Sequence, residues 1–471
     1  MTCLLTSLPQ ELIDYICDLL YGLRRSDSED KTLQNMSLTC KRLNNCAQPL
    51  MFRGIWLRMD LKNPEAANRS NYRFLETMLQ RPAIASTVRE LWTNDISEFP
   101  VANSSEIFHL WLKSQPVDFT NDAAALAELA GSDVWNCPPR FAPFGLEMLV
   151  TSLPNLEYLS LSAGHFGPWD DPMSEMYHPP ACLTRLRVPS LPKLRDLHAY
   201  VHMYGKHFSL MDVGLNALLG AAPNLQKLHL EGVSTVHEDL DLATIQARVP
   251  TLDKLATLIL EQCCVGDDSK NRIFNYLREF ASRCPELRCF EFQAGDEDSA
   301  DFPVTRLLAS LEARRETLEE VRLRNKSCGV ETRTLPTMHD FESLPNLKVL
   351  GLDRAAFCRH REGITGGPNH ATCLVDVVPA SVTKLCIDLS DDFEMAFKDV
   401  EFLAKRTKAG DYPNLQHVEL ERSVYNCLVS RQAHSPADEF VSDHPLGDKF
   451  RDLVSALLAA KITVSICEDF L

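Results

Sequence analysis

The chain has 471 residues, 45% of them hydrophobic and 24% charged, the composition of a soluble globular protein with room for two or three domains or for one extended array. Its formal net charge is −17, which argues against general nucleic-acid binding through phosphate neutralisation and favours basic partners over polyanions and membranes. No apolar stretch reaches the ~18 residues of a membrane span, and Met1 to Leu8 has neither the basic region nor the apolar run of a signal peptide. The 16 cysteines are scattered, form no Cys-x-x-Cys pair and fall mostly in apolar patterns. That usage predicts reduced core residues in a cytoplasmic or nuclear protein, where Asn-x-Ser triplets such as those at Asn68, Asn103 and Asn325 carry no meaning.

The first elements are helical. Ser7 is a capping residue type, Pro9 stands where the first helical turn needs no free N–H, and Glu11 adds a carboxylate at the positive end of the dipole. Leu12, Ile13, Ile16, Leu19 and Leu20 recur at spacings of three and four, and Gly22 ends the helix. A polar loop, Arg24 to Lys31, leads to a second apolar series of Leu33, Met36, Leu38, Leu43, Ala47 and Leu50. Three short helices in about fifty residues make a thin core. Each buried Leu or Ile contributes roughly 1.5–3 kcal/mol, while ordering a residue costs about 1–2 kcal/mol, so the balance sits near zero. Another surface must complete it. From the residues alone, that surface is either a partner protein or the array that follows, with the helices as its cap.

The order Leu8-Pro9, Glu11-Leu12-Ile13, Ile16, Leu33, Met36, Leu38, Cys40-Lys41-Arg42 and Leu43 resembles the F-box family. The resemblance spans roughly a tenth of the chain. It implies docking on the Skp adaptor of cullin-based ubiquitin ligases, with Leu8, Pro9, Leu12, Ile16, Leu38 and Leu43 as the adaptor contacts. One departure from the family pattern is a longer loop, Tyr21 to Lys31, holding Ser26-Asp27-Ser28-Glu29-Asp30. Serines beside acids are modifiable, though a solvated loop explains them as well.

The remainder is repetitive. Leu-x-x-Leu-x-Leu, often after Pro, returns from Leu156 through Leu194, Leu225, Leu255, Leu287, Leu318, Leu347 and Val382 to Leu415, at 29 to 38 residues per step. Each copy predicts a short strand with alternate side chains inward and a helical return, such as Arg272 to Phe280 or Val304 to Leu311. One copy cannot offset the ordering of thirty residues, but stacked copies share a core. The expected fold class is therefore α/β: a three-helix F-box-like module over residues 1–56, then an irregular leucine-rich-repeat solenoid over 57–471, curved, with parallel strands on its concave face. Residues 57–150 read as irregular or degenerate repeats and 151–471 as recognisable ones. Val88 to Trp92 reads as a degenerate first strand after a helix carrying Phe74, Leu75, Met78 and Leu79. Phe99 to Pro143 reads as an insertion, and Phe450 to Ala460 as a helix before a last strand at Ile462, Val464 and Ile466. Long loops are expected at Gly164–Pro180, Arg354–Cys373 and Tyr425–Pro445.

The strand period nominates exposed concave positions. The residue after the last strand leucine gives Ser162, Tyr200, Glu231, Glu261, Gln293, Arg324, Asp353, Asp388 and Glu421, and a neighbouring column gives His198, His229, Glu291, Arg322 and Glu419. Of these, Glu231, Glu261, Arg322, Arg324, Asp353, Asp388 and Glu421 are the candidate client-binding surface, mostly acidic and suited to a basic segment of a protein client. The plain alternative is a solenoid face charged only to stay hydrated. His198, His202 and His207, and Cys358-Arg359-His360, lack paired ligands at zinc spacing, so no metal is expected. Gly366-Gly367-Pro368 lacks the Lys-Ser/Thr of a phosphate loop, no Gly-x-Ser-x-Gly elbow occurs, and Cys263-Cys264 ends a strand, so neither catalysis nor a cofactor is expected.

By resemblance the chain is a substrate receptor of a Skp–cullin–F-box ubiquitin ligase: the adaptor, and through it a cullin, on the helices, and the client on the solenoid. Two readings stand beside it. One is a Skp-binding adaptor acting outside a ligase; the other is a repeat scaffold or inhibitor whose N-terminal helices are only a cap.

Overall fold

A computed structural model of the chain describes residues 8–22, 30–58, 64–94, 148–162, 191–200, 208–210, 213–234, 242–263, 270–295, 304–325, 341–357, 373–388, 393–422 and 445–468. The chain divides into two compact units, Met1–Lys206 with Asp212–Leu225, and His207–Met211 with Gln226–Leu471.

The first unit opens with helices α1 (Gln10–Gly22), α2 (Asp30–Thr39) and α3 (Lys41–Met51). Ile13, Cys17, Leu33, Leu43, Cys46 and Ala47 form their common core, with Leu8, Leu20, Tyr21, Met36 and Leu50 packed at its margin. The series read as one apolar run breaks at Cys40, whose extended backbone separates α2 from α3. The Pro9 carbonyl accepts the Ile13 N–H at 3.3 Å and so starts α1. Across the module, the Arg42 guanidinium donates to the Leu8 carbonyl at 2.8 Å and to Gln10 Oε1 at 3.2 Å. The basic residue of α3 thus pins the Leu8-Pro9 turn in place.

Strands β1 (Gly54–Arg58), β2 (Glu90–Asn94), β3 (Tyr158–Ser162) and β4 (Asp196–Tyr200) follow, parallel and in chain order. Helices α4 (Pro64–Gln80) and α5 (Pro82–Ala85) return the chain from β1 to β2. The strand expected at Val88–Trp92 is therefore the second one. The first is β1, and it begins three residues before the boundary drawn at 57. The expected insertion, Phe99 to Pro143, lies outside the described residues.

In the second unit a two-residue strand β5 (Phe208–Ser209) pairs with β7 (Val233–Ser234); helix α6 (Val213–Ala221) belongs to the first unit. The main strands of the second unit are β6 (Lys227–Glu231), β8 (Thr257–Cys263), β9 (Cys289–Ala294), β10 (Glu320–Asn325), β11 (Val349–Asp353), β12 (Lys384–Asp388), β13 (His417–Arg422) and β14 (Thr463–Glu468). They too are parallel and in chain order, one per repeat. Returns are made by α7 (Leu242–Arg248), α8 (Lys270–Ser282), α9 (Val304–Ser310), the single turn α10 (Arg354–Phe357), α11 (Phe393–Ala409) and α12 (Pro445–Ala459). The expected returns at 272–280 and 304–311 and the last helix and strand match α8, α9, α12 and β14. Of the three expected loops only Arg354–Phe357 and Cys373 fall among described residues with Pro445, and Arg354–Phe357 is helical rather than loop.

Two devices recur between successive repeats. At the foot of several strands one carbonyl accepts two successive N–H groups: Ala256 O takes those of Arg288 and Cys289, Arg288 O those of Glu319 and Glu320, and Glu319 O those of Lys348 and Val349. The Pro-Asn-Leu signature supplies the second. Asn155, Asn224, Asn346 and Asn414 each donate through Nδ2 to a carbonyl of the preceding repeat, at 2.6–2.9 Å. Within the second unit, Leu228 and Leu255, with their counterparts Leu287, Leu318 and Leu350, are buried and fill the shared core. In each unit this is a solenoid-like α/β arrangement.

Candidate protein-binding surfaces

Three groups of residues present themselves. The first is on the helices. Leu12, Tyr15 and Leu19 lie three and four residues apart along α1 and are all exposed, while Ile13 and Cys17 on the opposite face fill the core. Leu38, near the end of α2, is 78% exposed. Among the expected adaptor contacts, Pro9, Leu12 and Leu38 are exposed and Leu8 and Ile16 half-buried. Leu43 is different: at 1% exposure it belongs to the packing of the module, supporting the surface without being part of it. Tyr15 and Leu19 complete the exposed stripe; their three- and seven-residue offsets from Leu12 were the signal for them.

The second group is the strand face of the second unit. Here the expected open acidic column is corrected. Asp353 and Asp388 are buried, as are Gln293 here and Tyr200 of the first unit in the same column. Asp353 is covered because it caps α10, its Oδ1 accepting the Ala356 N–H at 2.7 Å. Tyr200 is covered because its hydroxyl donates to the Thr93 carbonyl at 3.1 Å. The Glu421 side chain lies outside the described residues, as do His202, His207, Cys264, Cys358, His360 and Gly366. Glu231 and Glu261 stay half-exposed, with Gln262 Nε2 donating to Glu231 at 2.8 Å and His229 Nε2 at 3.3 Å from Glu261.

The neighbouring column, with Glu291, Arg322 and Glu419 part-buried, pairs its charges with the columns on either side of it. Arg322 Nε is 2.6 Å from Glu320, Arg324 is 3.6 Å from Glu291, and Lys384 Nζ is 2.9 Å from Glu419. Gly351 sits between Arg322 and Cys386 in register. A Cβ there would lie 2.6 Å from Arg322 Cγ, so the glycine is what lets the arginine lie across β11 toward Glu419. Burial alone would push the Glu419 carboxyl up. The hydrogen bonds from Lys384 and Cys386, with the charges of Lys384 and Arg322, outweigh it and hold the group below the usual carboxylate range. Lys384 is held above its ordinary value, chiefly by its hydrogen bond to Glu419. The result is a face of alternating, mutually satisfied charge.

The third group was not anticipated from sequence, where Trp92 figured only as part of a degenerate strand. On the strand face of the first unit, Trp56 stacks on Trp92 with ring centroids 4.7 Å apart and planes at 12°, and Trp92 meets Tyr158 at 5.2 Å. Register puts Trp56, Trp92, Ser160 and His198 in one row, and Gly54, Glu90, Tyr158 and Asp196 in the next. Aligning Ile55/Leu57 with Leu91/Thr93 as inward positions was the available signal: it brings the two tryptophans level.

The thiols of Cys284 and Cys289 are each pushed up to about 12, and that of Cys17 to about 11, burial being the main cause; these thiols stay protonated near neutrality. Among the described residues no group of three His, Cys, Asp or Glu side chains is placed to hold a metal ion. No helix among them is long and apolar enough to cross a membrane. No known family model matches the chain, and no curated protein sequence matches it. The resemblance to the F-box therefore rests on the residue order over 8–43 alone.

Proposed function

We propose that the chain is the client-recognition subunit of a Skp–cullin–F-box ubiquitin ligase, acting in the cytoplasm or nucleus. One observation carries the reading: the helical module has its own core, yet leaves Leu12, Tyr15, Leu19 and Leu38 exposed on α1 and α2. Single exposed leucines are ordinary, but a helical stripe of them on a three-helix module is the form of a docking face. A module serving only to cap the repeats would place its apolar stripe against them. Arg42 supports the same reading by fixing the Leu8-Pro9 turn beside that stripe. On this account the adaptor covers α1 and α2, the strand faces hold a protein client, and the ligase acts by proximity, bringing a client lysine to a charged conjugating enzyme. No residue of this chain takes part in bond making.

The test uses the full chain and a purified Skp-type adaptor in isothermal titration. Wild type should bind, and Leu12→Asp with Leu38→Asp should weaken binding by about 100-fold, since buried apolar anchors dominate such interfaces. The same double variant should keep its urea midpoint, because both side chains are exposed. Adaptor binding that ignores the two aspartates would sink the proposal. Adaptor binding without recruitment of cullin would place the chain outside a ligase.

A further inference from the structure

We propose that Ser465 is a nucleophile toward activated acyl esters, with His417 as its base and Thr463 holding that base in position. All three lie on β13 and β14 of the second unit. The chemistry stands apart from the ligase reading, in which this chain makes no bond, and it holds whether or not the helices bind an adaptor.

Strand register assembles the site. His417 of β13 is level with Thr463 of β14, and Ser465 stands two residues further along, hence on the same face. The imidazole reaches both: Nδ1 lies 2.8 Å from Thr463 Oγ1, and Nε2 lies 2.8 Å from Ser465 Oγ. Threonine decides the tautomer. Its hydroxyl donates to the Gln416 carbonyl at 2.9 Å, so its oxygen is left to accept, and Nδ1 carries the ring proton. Nε2 is then an acceptor, and the Ser465 hydroxyl donates to it. Lacing β14 to β13 would be served by either tautomer. The one fixed here rests the serine proton on a basic nitrogen, which is the arrangement that activates a hydroxyl. His417 and Ser465 both remain part-exposed to solvent. Lys384 of β12 is level with His417, Glu419 is level with Ser465, and the two are joined at 2.9 Å. That pair supplies a carboxylate for the imidazolium that forms and an ammonium for a developing oxyanion.

Magnitude fixes the substrate class. A positioned base contributes about 10²–10⁴ in rate, below the ~10⁶ or more that enzymes supply to unactivated bonds. The substrate therefore brings its own good leaving group, as an aryl ester does. Ser465 Oγ bonds to the acyl carbon as the bond to the leaving oxygen breaks. The proton passes from Oγ to Nε2 and on to that oxygen, releasing the alcohol. Water repeats the step on the acyl-serine, giving the carboxylic acid and returning Ser465.

The experiment treats the full chain with a fluorescent alkyl fluorophosphonate and, separately, with para-nitrophenyl acetate, and locates the modified peptide by mass spectrometry. With the probe, the Oγ–P bond forms as P–F breaks, fluoride leaves and His417 takes the proton. Wild type should be labelled at Ser465 and should hydrolyse the ester, and Ser465→Ala should lose both. His417→Ala should slow labelling about 100-fold. Free imidazole should restore it, since a diffusible base replaces a missing base and not a missing strand contact. Thr463→Val should slow labelling about tenfold, and the conservative Thr463→Ser should recover it. Urea midpoints identify a variant that has lost its fold; should His417→Ala do so, the wild-type labelling site and the small change Ser465→Ala decide. The proposal is overturned by wild type unlabelled at Ser465, or by ester hydrolysis unchanged in Ser465→Ala. It is overturned equally by a folded His417→Ala that labels at the wild-type rate or that imidazole does not rescue, and by a Thr463→Val no slower than Thr463→Ser.

Discussion

Glu419 is held ionised by groups on its own strand face, and that has a measurable sign. Its folded-state carboxyl lies below the usual range, so the stabilisation it brings is present above its unfolded value and is lost as pH falls through the folded one. Glu419→Gln should therefore lower stability by about 1 kcal/mol at pH 7, with a gap that closes below about pH 4. Urea midpoints of the two proteins across that range measure it, and a gap independent of pH would remove Glu419 from the account. Leu43 and Leu38 make a contrasting pair at this scale. Both are leucines of one apolar series, but Leu43→Ala should cost about 2–5 kcal/mol through the cavity it leaves, while changes at exposed Leu38 should be nearly silent in stability. The resemblance to the F-box implied both as adaptor contacts. Which of them faced inward depended on where Cys40 breaks the helix, and a single chain break is weakly encoded.

Each repeat is an element that owes its place to the one before it. The Asn of Pro-Asn-Leu is a donor to the preceding repeat, so Asn346→Ala should lower the urea midpoint by the equivalent of about 1 kcal/mol. Asn346→Asp should do no better, because a carboxylate has no N–H to offer the Glu316 carbonyl. An aspartate that restores full stability would show that bulk, not donation, matters there. The strands and their returns were legible because the period of buried leucines is strong and the burial is uniform. β1 was not, since Gly54-Ile55-Trp56-Leu57-Arg58 stands outside the leucine pattern and offers only two inward side chains. Helix α10 was read as loop because one turn of helix after a strand has no periodicity to detect; Asp353 makes it by capping.

At the scale of the molecule, a stack of repeats is protected from its interior outward. Among the described residues, β9 and β10 have a strand on each side, whereas β14 pairs with β13 alone and β1 with β2 alone. Amide exchange should accordingly be slowest in β9 and β10 and fastest in β1 and β14, and a β14 as protected as β10 would contradict a repeat-by-repeat account. The candidate surfaces lie at different levels of this plan: the helical stripe on a module with its own core, the aromatic row on the first strands, the paired charges on the later ones.

What the residues determined unaided is the plan itself: α/β repeats about thirty residues long, a three-helix beginning, and the identity of the leucines that stack. Periodic burial writes itself into every copy and needs no long-range information. Tertiary structure alone decided which polar side chains remain open to a partner. Asp353 and Asp388 are indistinguishable by spacing from Glu231 and Glu261, yet one pair is buried and the other half-open. Trp56 and Trp92 are 36 residues apart in the chain and become a single surface only through the register of β1 on β2. Exposure and juxtaposition belong to neighbours in space, and those neighbours are named by the fold.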